Sequence, residues 1–76
     1  MTKHFLIVGN YHGETKYCQM KYGSDGLFSE FGFNFDMLGA TVFDLEFYNM
    51  FIEEIKDAAN DNGITDIRKL PIKIGY

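Results

Sequence analysis

At 76 residues the chain reads as a single domain, 1–76, and its 46% hydrophobic content, with eight Phe and five Tyr, is enough for one packed core. Its one cysteine, Cys18, excludes an internal disulfide, and no Cys/His cluster has zinc spacing, so a metal site and a cofactor are not expected. The net charge of −4 is unevenly spread: residues 25–66 carry −9, and the two flanks together carry +5. An acidic middle of this kind argues against direct binding to nucleic acid, which needs a basic footprint.

The longest uninterrupted apolar run, Phe5-Leu6-Ile7-Val8, falls far short of the ~20 residues that span a bilayer. Met1-Thr2-Lys3-His4 is not followed by a secretory h-region, so the cytoplasm is the expected compartment and no membrane partner is expected.

In chain order, residues 3–11 predict a strand from their β-branched and aromatic content, 12–15 a turn, and 16–22 a second strand. Pairing around Gly13-Glu14 sets Ile7 opposite Met20, Phe5 opposite Tyr22 and Gly9 opposite Cys18. One face then holds Phe5, Ile7, Tyr11, Cys18, Met20 and Tyr22. After a turn at Gly23-Ser24-Asp25-Gly26, the alternation of Leu27, Ser29, Phe31, Phe33 and Phe35 predicts a half-buried third strand, with Gly32 marking a bulge or a close backbone approach.

Thr41-Val42-Phe43-Asp44 has capping-box spacing, with Thr41 as N-cap, and Asn62-Gly63 is a helix stop. Between them Leu45, Phe47, Tyr48, Phe51, Ile52, Ile55, Ala58 and Ala59 fill one arc at 100° per residue. Past the helix, Leu70, Ile72, Ile74 and Tyr76 alternate inward with Lys69 and Lys73 outward, and Pro71 places this strand at a sheet edge. The order β-β-β-α-β predicts a two-layer α+β fold. Its four-stranded mixed sheet has order 3-2-1-4, with the last strand parallel to the first through a helical crossover, and one helix covers one face.

Catalytic constellations are weak. Cys18 shares a face with Ile7 and Met20 and has no histidine within reach, which reads as core packing. His4 and His12 stand roughly 26 Å apart along one strand and cannot share an ion. Asp57–Gly63 mimics a calcium loop but puts Lys69 where a bidentate Glu is required. Gly9–Gly13 lacks the Lys-Ser/Thr pair of a phosphate loop. Paired helix carboxylates have no apolar pocket to raise a pKa, so no catalytic residue is assigned and an enzyme is not expected.

Two surfaces remain. On the helix's outer face Glu46, Glu53, Glu54, Asp57 and Asp61 form an acidic strip around Met50, with Phe43 at its start. This is either a solvated face or an interaction surface. The rows Glu46–Met50–Glu54 and Glu53–Asp57–Asp61 contain no lysine, although alternating signs would stabilise the helix. An apolar anchor ringed by charge is the anatomy of a hot spot. The second surface is the sheet's back face, where Leu6, Val8 and Tyr17 suit a homodimer or an accessory-subunit contact. The leading expectation is an acidic protein-binding inhibitor directed at the basic, nucleic-acid-binding surface of a protein partner. Acidic phage and mobile-element proteins that block restriction or CRISPR machinery are analogous in charge, though not in motif.

Overall fold

The computed structural model describes residues 3–73. Strands β1 (His4–Tyr11), β2 (Glu14–Tyr22), β3 (Phe28–Asn34) and β4 (Thr65–Ile72) form one sheet in the order β3-β2-β1-β4, and the helix α1 (Leu45–Asp61) lies against one face. The fold is two-layer α+β, as the sequence predicts. Among the described residues no helix is long and apolar enough to cross a membrane.

The β1–β2 hairpin closes through two residues, His12 and Gly13, both at positive φ (49° and 84°). That is the hairpin turn whose twist matches its flanking strands. The tight turn pairs Tyr11 with Glu14 and Gly9 with Lys16, two residues away from the expected register. A shift of two keeps every side chain on its expected face. Phe5, Ile7 and Cys18 are buried in the core, with Tyr11 and Met20 packed against them. Tyr22, at the far end of β2, is exposed.

The sheet is antiparallel throughout, which corrects the expected parallel pairing of β4 with β1. The reason lies in residues 35–44. Having left β3 beside Tyr17, the chain returns to the start of β1, where Phe43 and Phe5 exchange two backbone hydrogen bonds of 2.9 and 3.0 Å. Only then does α1 begin, so the helix climbs toward the Tyr11 end and β4 must descend. The returning segment also wedges between β1 and β2. The Thr41 N–H donates to the Cys18 carbonyl at 3.0 Å, and the Met20 N–H donates to the Thr41 hydroxyl at 2.8 Å. Phe43 thereby becomes a fully buried core residue stacked against Phe47.

Antiparallel pairing reverses the expected faces of β4. Leu70 lies opposite Leu6 on the back of the sheet and is 40% exposed, while Lys69 lies opposite Ile7 on the helix side. There its ammonium sits 4.7 Å from the Tyr48 ring centroid and 5.4 Å from that of Phe5. A lysine stem can cover apolar surface at the helix margin while its charge stays wet. Ile74 and Tyr76, expected to point inward, lie outside the described residues.

Two bulges complete the sheet. The β1–β4 register slips between Val8 and Asn10, so that Gly9 faces both Asp66 and Ile67, with Asp66 at φ 54°. A Cβ on Gly9 would strike the Ile64 side chain, which explains a glycine in the central strand. The β2–β3 register slips between Lys21 and Tyr22, and this turns Phe28 rather than Leu27 toward α1. Gly32 is a close approach and not a bulge: the Lys21 stem lies across it.

Candidate functional site

The helix that carries the acidic strip is capped at both ends, but not as Thr41 suggested. Asp44 is the N-cap, its carboxylate accepting from the Phe47 N–H at 2.8 Å. Thr41 is engaged with β2 instead, so the capping-box expectation is corrected. At the other end the Ile64 N–H reaches the Ala59 carbonyl (2.8 Å) and the Gly63 N–H reaches Asn60 (3.2 Å), with Gly63 at φ 70°. This is a Schellman closure, and Ile64 and Ala59 are both buried beside it.

Between these caps Ile55 and Ala59 face the core, flanked by half-buried Phe47, Tyr48, Phe51, Ile52 and Ala58. Leu45, expected on that arc, is 55% exposed, because the chain enters the helix at the sheet margin and the buried ring there belongs to Phe43. Phe43 therefore leaves the strip where the sequence had placed it. The remaining strip residues, Glu46, Glu53, Glu54, Asp57 and Asp61, are all exposed, and Met50 stands 70% exposed among them.

Toward the C-terminal end of α1 the electrostatics of this face oppose helix stability. Glu53, Asp57 and Asp61 repeat at i,i+4, a like-charge row that costs about 0.2–0.5 kcal/mol per pair. The last turn has no basic residue, although the negative end of the helix dipole favours one.

The strip also borders a groove that the sequence did not reveal. Between α1 and β3 lies a depression of about 240 Å³ whose apolar floor is Phe28, Phe31 and Ala58. Glu30 of β3 and Glu54, Asp57 and Asp61 of α1 stand around it. Strict alternation along β3 would have turned Leu27 toward α1; the bulge beside Tyr22 brings Phe28 there instead. No feature of the local sequence marks that bulge.

The second candidate surface is different from expectation. Leu6 and Val8 are buried, at 5% and 1% exposure, and Tyr17 is half-buried. Tyr17 and Arg68 oppose Val8 on the two sides of β1, and Leu70 opposes Leu6. Leu6 and Val8 lie in a central strand flanked on both sides, so the expected open apolar patch there is corrected to a buried one.

Cys18 is fully buried, and desolvation pushes its thiol up to about 12. It is a neutral packing group at physiological pH, shielded from any substrate. His4 begins β1 and His12 lies in the turn beyond its other end, where the His12 ring stands edge-on to Tyr11 with centroids 4.3 Å apart. Among the described residues no three His, Cys, Asp or Glu side chains are grouped so as to hold a metal ion.

No protein-family model matches the chain, and neither the curated proteins nor the solved structures contain a match to it.

Proposed function

We propose that the chain is a small acidic protein-binding module, an inhibitor that presents the outer face of α1 to the basic, nucleic-acid-binding surface of a partner protein. It acts in the cytoplasm, as anti-restriction and anti-CRISPR proteins of phage and mobile elements do, without catalysis, cofactor or nucleic acid of its own. The observation that carries this reading is the concentration of exposed carboxylates toward the C-terminal end of α1. There both i,i+4 repulsion and the helix dipole disfavour them, and no basic residue lies in the last turn. A charge pattern that works against its own helix is accounted for by an external cationic surface, and Met50 supplies an apolar contact within it.

The test is parallel affinity capture from a bacterial lysate, using the wild-type chain and a variant with Glu46→Gln, Glu53→Gln, Glu54→Gln and Asp57→Asn. The expected result is a nucleic-acid-binding protein retained by wild type, lost with the variant, and displaced by added duplex DNA. Retention of the same proteins by both baits at low salt would sink the reading.

A further inference from the structure

We propose that the groove between β3 and α1 seats an arginine side chain from a basic segment of the partner. This rests on the reading of the acidic helix face as the binding surface and names the chemistry of the contact. The floor of the groove is aromatic: Phe28, 36% exposed, lies beside Phe31 with ring centroids 5.0 Å apart. Its helix-side rim is anionic, carrying Glu54, Asp57 and Asp61. At about 240 Å³ it is smaller than the ~300–1,000 Å³ typical of small-molecule sites and suits a single side chain.

A guanidinium matches both halves. Its plane stacks on an aromatic face, its fork of donors meets carboxylates, and its stem tolerates apolar contact. An ammonium offers the charge but neither the plane nor the fork. The chain already uses cation–aromatic contacts on its own core margin. Lys16 sits 4.1 Å from the Tyr11 centroid and 4.6 Å from that of Phe35, and Lys69 covers Phe5 and Tyr48. Among the described residues, no lysine or arginine covers Phe28 or Phe31 in this way, and these rings are bordered by the acidic residues Glu54, Asp57 and Asp61 of α1.

The experiment is an NMR titration of the 15N-labelled chain with acetyl-Gly-Arg-Gly-amide, alongside its lysine counterpart and its neutral citrulline counterpart. Saturable shifts are expected at the amides of 28–31 and 54–62 with the arginine peptide, weaker ones with lysine, and none with citrulline. Phe28→Leu keeps apolar volume and removes the ring, so it should weaken the arginine peptide about two- to fivefold and narrow its advantage over lysine. Equal shifts with citrulline, shifts spread along the whole strip from Glu46 without saturation, or an unchanged affinity in Phe28→Leu would each overturn the proposal. The two readings fail separately. A captured partner lost by the four-carboxylate variant, together with an arginine-peptide affinity unchanged in Phe28→Leu, leaves the acidic face standing and removes the groove. A partner kept by the four-carboxylate variant removes the acidic-face reading, while the peptide titration still decides whether the groove takes arginine.

Discussion

The Thr41 hydroxyl accepts a hydrogen bond from the Met20 backbone N–H at 2.8 Å, joining a loop residue to a strand residue 21 positions away. With Phe43 bonded to Phe5 on the other side, it holds residues 41–43 between two strands of the sheet. A side chain with the local signature of a helix cap is here part of the sheet's hydrogen bonding.

Thr41→Val preserves shape and removes the acceptor, leaving the half-buried Met20 N–H without its partner. Destabilisation by about 1–3 kcal/mol is expected, with Thr41→Ser restoring most of it. Asp44→Ala removes the true N-cap and should cost about 0.5–2 kcal/mol, with Asp44→Asn recovering the loss. Urea midpoints of the four variants check both halves, and a Thr41→Val midpoint equal to wild type would contradict the wedge.

Gly9→Ala places a methyl group against Ile64 at the β1–β4 bulge. Overpacking of about 1–3 kcal/mol is expected. Ile64→Ala should cost stability alone, yet in combination with Gly9→Ala the two losses should sum to less than their separate values. Strict additivity in this double-mutant cycle would mean that the two side chains do not share the space.

Burial holds the Cys18 thiol neutral up to about 12, against 9.0 for the free group. The raised folded value means that the native state binds the proton more tightly than the unfolded chain does. Cys18 thus contributes stability in full below pH 9, and that contribution is lost as pH rises toward 12. The difference in stability between wild type and Cys18→Ala should be flat from pH 6 to 8.5 and shrink above pH 9. Modification by a thiol reagent should likewise track unfolding; fast labelling of the native protein at pH 7 would refute the buried placement.

On the acidic face, neutralising Glu46, Glu53, Glu54 and Asp57 should slow association with the captured partner, with the effect fading as salt rises. Met50→Ala should instead speed dissociation and leave the salt dependence unchanged. All five side chains are exposed, so thermal stability should hold or rise slightly as the repulsive rows are relieved. Surface plasmon resonance at two or more salt concentrations separates the two effects. An association rate for the four-carboxylate variant equal to wild type at low salt would assign the strip to solubility alone.

What the sequence by itself determined are the features governed by near neighbours. Alternation assigns Phe5, Ile7 and Cys18 to one face, because side-chain direction in a strand depends only on parity, and a register slip of two leaves parity intact. The helix arc from Phe47 to Ala59 and its stop at Asn62-Gly63 follow from a 3.6-residue period and from glycine's access to positive φ. The exposure of Glu46, Glu53, Glu54, Asp57 and Asp61 follows from the same period.

Only the tertiary structure decided the direction of β4, the burial of Phe43, and the company of Leu70 and Lys69. Each depends on the return of residues 35–44 to the start of β1, and the partners in that return, Thr41 with Met20 and Phe43 with Phe5, are 21 and 38 positions apart. The groove beneath the strip has the same origin. It exists because a one-residue slip opposite Tyr22 exchanges Leu27 for Phe28 against α1. A bulge of that kind is selected by how strand and helix pack together, and local periodicity carries no trace of it.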